Sequence, residues 1–133
     1  MSKKILIVSS NYYSDISSNL EKGAINYLKE YDYEYTILNA PGCFEIPYII
    51  KKNIKKYDGF IALGCVIKGD TYHFEIISNE TSRKIIDLSV EYLIPIGFGI
   101  LTCYNLEQAI VRSDINQKNK GREAAFACVR LLS

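Results

Sequence analysis

The chain has no tryptophan, one histidine, one methionine and three prolines, and its charges nearly cancel to a net +1. Each scarcity removes a class of function. A near-neutral chain has no global field to draw it to nucleic acid or to an anionic membrane. No apolar run approaches the ~20 residues that span a bilayer. The opening MSKKILIVSS is basic, but its apolar stretch is too short for a signal peptide and reads as a first strand. Cys43, Cys65, Cys103 and Cys128 form no CxxC pair, and no histidine stands at ligand spacing from them. A zinc site is therefore not expected, and the cysteines read as reduced, buried thiols of a cytoplasmic protein. No GxGxxG is present to bind a dinucleotide.

What is present is an ordinary globular balance: 133 residues, 48% hydrophobic and 23% charged. That suits one domain over residues 1–133 with one core. Apolar runs without helical period alternate with amphipathic stretches. Strands are expected at 5–9, 33–38, 60–66 and 95–101. Ser14 or Asp15 is expected to cap a first helix, whose stripe is Ile16, Leu20, Ala24 and Leu28. Residues 39–42 read as a loop, followed by a helix with Pro47 in its first turn and Ile46, Ile49, Ile50 and Ile54 inward. A long helix comes after Thr71, with Phe74, Ile77, Thr81, Ile85 and Leu88 on one face. Asn105 and Gln108 make a capping pair for a short helix. Residues 113–119 form a polar loop, and the last helix, 121–132, turns Ala124, Ala125, Cys128 and Leu131 inward. Strict strand–helix alternation means a parallel sheet of four strands with helices on both faces, a three-layer α/β/α sandwich.

In such a sheet ligands bind off the carboxyl ends of the strands. The stretch FIALGCVIKGDTYHFE, residues 60–75, runs from a buried strand through a turn into a helix, with the only histidine, His73, at the junction. The free N–H groups of a helix's first turn can receive an anion there. The same rim collects Tyr12, the segment 42–45, and residues 102–105, with Arg112, Lys118 and Lys120 following. Together they offer rings for a flat heterocycle, a carboxylate for hydroxyls, donors for an anion and an imidazole for proton transfer. Each also has a structural reading. His73 can be a polar cap, Tyr12 one of eleven tyrosines, Phe44 core, Glu45 a dipole partner, and the cations a solvated loop. Their convergence on one rim carries the functional reading.

Taken in order along the chain, PGCFEIP, ALGCVIKGDTYHFE, PIGFGILT, NLEQAIVR and NKGREAA resemble the lumazine synthases, over nearly the whole length. The resemblance implies a flavodoxin-like fold and a cofactor-free, metal-free transferase of riboflavin biosynthesis. Such an enzyme condenses 5-amino-6-(D-ribitylamino)uracil with 3,4-dihydroxy-2-butanone 4-phosphate to 6,7-dimethyl-8-ribityllumazine, phosphate and water. By motif, Tyr12 stands for the ring that stacks on the pyrimidine. Cys43, Phe44 and Glu45 match the segment that binds the ribityl chain, and Val66, Ile67 and Lys68 the backbone facing the uracil. Gly69, Asp70 and Thr71 match the phosphate turn and His73 the proton-transfer residue. Phe98 matches a pocket residue supplied by a neighbouring subunit, Arg112 the phosphate arginine, and Lys120 the lysine before the last helix. The implied assembly is a homopentamer with sites between subunits, some relatives going on to a 60-subunit capsid. Asp114 and Lys118 replace glycines of the family pattern, and Asp114 is expected to weaken the grip of Arg112 on phosphate. The chain also begins close to its first strand, where many relatives carry an added arm, which makes the pentamer the firmer expectation. The runners-up are a riboflavin synthase of the same fold and a non-catalytic flavin-binding module.

Overall fold

The computed structural model describes residues 3–132. Four strands, β1 (Lys4–Ser10), β2 (Glu34–Ala40), β3 (Gly59–Ile67) and β4 (Ile96–Cys103), form one sheet in the order β2-β1-β3-β4. All three pairings are parallel, with Ile7 opposite both Ile37 and Ile61, and Ala62 opposite Phe98. β3 is buried from Gly59 to Cys65 because layers cover both of its faces. That explains its unbroken apolar run in the sequence.

Five helices cover the sheet: α1 (Ser14–Glu30), α2 (Ile46–Lys52), α3 (His73–Tyr92), α4 (Leu106–Ser113) and α5 (Lys120–Leu132). The side-chain period of two along the strands separates two cores. Ile5, Ile7, Ile61 and Leu63 pack with Leu20, Ala24 and Leu28 of α1 and Ala125 and Cys128 of α5. Leu6, Val8, Phe60 and Ala62 pack with Ile46 and Ile50 of α2 and Ile85 and Leu88 of α3. Helices therefore lie on both faces in a flavodoxin-like three-layer arrangement.

The expected strands are all present, with their ends shifted by one or two residues. Asn39 and Ala40, expected in a loop, extend β2 and pair with Ser9 and Ser10. The expected side-chain cap on α1 is not formed: the helix begins at Ser14 behind Tyr13, without a side-chain cap bond. Ser17 ties that end down instead, its hydroxyl lying 2.9 Å from the carbonyls of both Ser10 and Tyr13. The Asn105–Gln108 pair does form. Asn105 accepts from Gln108 N at 2.9 Å, and Gln108 Oε1 accepts from Tyr104 N at 2.8 Å. Leu131, expected inward, is 60% exposed, because α5's buried stripe runs through Gly121, Ala124, Ala125 and Cys128. Ile54 falls beyond α2, which ends at Lys52.

Small residues set how closely the layers approach. A Cβ on Gly121 would land on the carbonyl of Leu20, so α1 and α5 meet backbone to backbone there. One on Gly64, in mid-strand, would sit 2.6 Å from Cys43 Sγ. That glycine lets the chain after β2 lie down on the sheet, and so defines the floor of the site.

Candidate active site

The winding of the chain reverses between β1 and β3. From β1 it crosses outward through α1 on one face, and from β2 it returns through α2 on the other. A crevice opens at the carboxyl ends of strands that diverge in this way. The structure has a cavity of about 680 Å³ at that point. Ser10, Tyr12 and Tyr13 form its wall after β1, and Pro41 to Glu45 its wall after β2. Cys65, Val66 and Ile67 at the end of β3 form another side, with His73, Ile76 and Ile77 from the first turns of α3.

Two rings flank the opening without being core residues. Tyr12 is 76% exposed and Phe44 55% exposed, so neither ring is held by burial. Tyr12 meets Tyr13 edge to face, with centroids 5.0 Å apart and planes at 84°. Phe44 and Glu45 stand in a single 3₁₀ turn, Cys43–Glu45, started by Glu45 N donating to Gly42 O at 3.2 Å. Cys43 in the same turn points inward and is buried. Burial pushes its thiol up to about 11, so it serves as packing rather than as a nucleophile. Burial likewise pushes Cys65 up to about 12.

The β3–α3 turn borders this cavity. Lys68, Gly69, Asp70 and Thr71 are exposed, and Lys68 N donates to Cys103 O at 2.9 Å, carrying the β3–β4 ladder one step beyond the strands. α3 begins behind Tyr72 with no side-chain cap bond. Beyond His73, the N–H groups of its first turn are available to an anion, and the field of a 20-residue helix favours negative charge there. His73 opens the helix, exposed, with its backbone N 3.4 Å from Thr71 Oγ1. Gly69 has no atom within 4 Å of an added Cβ and no positive φ, so nothing inside the chain demands a glycine.

Lys68, Gly69, Asp70 and Thr71 do not themselves line the cavity but lie between two residues that do, Ile67 and His73, whereas Phe98, Arg112 and Lys120 lie apart from it. Phe98 projects from β4, the last strand of the sheet, into a second groove of about 670 Å³ with Ile85, Ile86 and Leu131. Arg112 sits in the last turn of α4, its Nη1 donating to Gln108 O at 3.2 Å. Lys120 pairs with Glu123 Oε1 at 3.1 Å at the start of α5. The Asp114 carboxylate makes its bonds within its own loop rather than to Arg112. Its carboxylate accepts from Asn116 N at 2.8 Å and Gln117 Nε2 at 2.9 Å, and these bonds hold its carboxyl below the ordinary value. It organises its own loop. Tyr13, Ile76 and Ile77 line the cavity although no motif marks them. Ile76, 45% exposed and three positions after His73, shares that helical face, and this spacing is the signal that could have found it. Among the described residues no group of three or more His, Cys, Asp or Glu side chains could hold a metal ion.

A doubly wound sheet with an aromatic-flanked crevice at its switch point, an open helix N-terminus beside it and a histidine at that terminus defines a small-molecule enzyme of the flavodoxin-like class. The comparisons with known proteins narrow the class. The family model described as 6,7-dimethyl-8-ribityllumazine synthase matches residues 2–133, and the chain belongs to that family. A relative of that name from Bartonella tribocorum is 44% identical over 132 residues, covering 97% of this chain and 87% of its own. One from Zymomonas mobilis is 42% identical, covering 98% and 94%. One from Agrobacterium fabrum is 44% identical, covering 96% and 91%.

Proposed function

We propose that the chain is a transferase of riboflavin biosynthesis that condenses 5-amino-6-(D-ribitylamino)uracil with 3,4-dihydroxy-2-butanone 4-phosphate. The products are 6,7-dimethyl-8-ribityllumazine, phosphate and water. Family membership along residues 2–133 is the observation that carries this reading. The arrangement of the rim supports it. Tyr12 and Phe44 offer faces to the pyrimidine and its side chain, and Glu45 accepts from ribityl hydroxyls. The backbone of Val66 to Lys68 supplies directional bonds to the uracil edge. Gly69 to Thr71 and the open end of α3 receive the phosphate, where a glycine leaves room for close approach.

The chemistry comes from those positions. The amine attacks the ketone, and loss of water gives an imine. Removal of a proton from the carbon chain expels phosphate and leaves an enol that becomes a ketone, and the second amine adds to that ketone and loses a second water to close the ring. Protons, water and phosphate are all that move, so no redox cofactor is called for. His73 lies beside the phosphate turn, where its imidazole can pass protons to and from the reacting atoms. Holding two substrates in one crevice supplies much of the remaining acceleration.

Phe98, Arg112 and Lys120 act from a neighbouring copy, in a homopentamer of single-domain chains over residues 1–133. Their absence from this chain's cavity lining, and the groove that leaves Phe98 44% exposed on β4, support that division. No described helix is long and apolar enough to cross a membrane. The working place of the enzyme in this reading is the cytoplasm, and the four free, buried thiols support it. The test is direct. Purified protein is mixed with both substrates, and lumazine absorbance and phosphate release are followed together. Equal amounts of both establish the activity, and absence of lumazine from properly assembled protein refutes it. Sedimentation then measures the assembly.

A further inference from the structure

Tyr104 stands immediately after β4 with its ring 68% exposed, so burial does not explain where the ring lies. Its partners do. Lys68 Nζ sits over the Tyr104 ring, 5.7 Å from the centroid. Phe74 of α3 packs against the same ring, centroids 6.1 Å apart at 46°. Lys68 is the last residue before the turn that starts at Gly69, and Phe74 comes directly after His73. One ring therefore touches both ends of the turn. The backbone that carries the ring is held from behind: Tyr104 N donates to Gln108 Oε1 at 2.8 Å, and Gln108 N donates to Asn105 Oδ1 at 2.9 Å. Inside the turn the restraint is weak, a 3.4 Å approach of His73 N to Thr71 Oγ1, with open space around Gly69.

We propose that Tyr104 is a positioning residue that clamps the two ends of the 69–72 turn, so that the phosphate-receiving N–H groups and His73 are set before substrate arrives. The proposal rests on the functional reading above and adds a residue to it. A turn left free must be ordered at the moment of binding, and that ordering subtracts from affinity. The aromatic clamp removes the cost in advance. It also keeps the ammonium of Lys68 beside the turn, where a cation adds to the attraction for phosphate.

The measurement is steady-state kinetics of wild type, Tyr104→Ala and Tyr104→Phe. Each substrate is varied in turn, with inorganic phosphate titrated calorimetrically into the same proteins. Tyr104→Ala is expected to raise KM for the butanone phosphate about five- to tenfold, the range set by one ring contact and one exposed cation–π contact. Inorganic phosphate should weaken in parallel, while KM for the pyrimidine stays unchanged. Tyr104→Phe keeps the ring and should behave as wild type in every readout. An unchanged phosphate KM in Tyr104→Ala overturns the clamp. So does an equal rise in both KM values, which would mark general loosening, and so does a Phe variant as impaired as Ala. Wild type that forms no lumazine defeats the functional reading instead, and the calorimetric comparison then still decides the clamp.

Discussion

Gly64 and Cys43 offer the sharpest test of how the fold makes room for the site. A methyl on Gly64 would stand 2.6 Å from Cys43 Sγ, about 1 Å inside comfortable contact, and 3.4 Å from Ser10 Cβ. Cys43 is 6% exposed, packed between the sheet and α2, so its sulfur has little room to give. Overpacking of this kind costs about 1–3 kcal/mol, less the ~0.4–1 kcal/mol that a strand Gly→Ala change returns through the unfolded chain. Gly64→Ala should therefore destabilise by about 1–2 kcal/mol. Removing the sulfur with Cys43→Ala costs about 1 kcal/mol on its own. In that background the methyl added at position 64 enters the vacated space, so the same Gly64→Ala change should become neutral or slightly stabilising. The reversal corresponds to a coupling of about 2 kcal/mol in a double-mutant cycle. Thermal unfolding at fixed protein concentration reads it at about 4 °C per kcal/mol. The cavity gives a second readout: a displaced Cys43–Glu45 turn should raise KM for the pyrimidine in Gly64→Ala and recover in the double variant. Losses that simply add, or a Gly64→Ala protein that melts with wild type, would refute the steric account.

Other positions carry further expectations. Gly121→Ala places a methyl against the backbone carbonyl of Leu20, which cannot rotate away, so a loss of about 3 kcal/mol or failure to express folded protein is expected by urea denaturation. Asn105→Ala removes the cap of α4 and should cost about 1 kcal/mol in the same assay. The Asp114 carboxyl is held below its ordinary value by its bonds to Gln117 and Asn116, so its contribution is full above the ordinary carboxylate range and is lost as pH falls through the lowered value. The stability gap between wild type and Asp114→Ala should accordingly narrow between neutral pH and about pH 3, and a constant gap would count against the assignment. All four cysteines are free and buried, with Cys128 pushed up to about 12 by burial. A thiol reagent at neutral pH should label native protein slowly and four sites per chain after unfolding, as mass spectrometry would count.

The sheet was legible because β3 is an unbroken apolar run and the helices carry clear stripes, both direct consequences of burial. The misplacements lie at helix ends. Leu131 and Ile54 are apolar residues at helix ends, where period alone does not fix which side faces the core. The α1 cap failed because the helix begins at Ser14, which puts Tyr13, a residue without a short side-chain acceptor, at the cap position, while Ser17 donates to the carbonyls of Ser10 and Tyr13. The places of Tyr12, Cys43, Phe44, Glu45, Val66, Ile67 and His73 on the cavity wall were legible, since strand ends and Gly-containing turns mark themselves. The bonding of Asp114 was not. Asp114 reads as a threat to Arg112 because the two are close in sequence, yet the carboxylate's bonds run forward into its own loop.

The proposed division of the site between copies has a topological rationale. The crevice lies between β1 and β3, so the ends of β1, β2 and β3 and the start of α3 can wall it. β4 is one strand further out, at the edge of the sheet, and the chain beyond it returns to the opposite face as α4 and α5. That last third of the chain carries Phe98 on the edge strand and Arg112 and Lys120 on the helices, and none of the three lines this cavity within one chain. Tyr104 is the exception, because it stands where β4 ends and can lean back over the β3–α3 turn. In the proposed reading a chain of this topology organises the 69–72 turn by itself, while Arg112 and Lys120 are met from another copy. The division also separates the effects of substitution. Changes at Tyr104 should be felt whatever the assembly state, whereas changes at Arg112 should matter only where chains are associated. Mixing Arg112→Ala chains with His73→Ala chains tests this: if each site takes its histidine from one copy and its arginine from the next, mixed assemblies regain sites with both residues intact. Activity that stays at the level of the separate variants would place both residues in one chain's site and defeat the division.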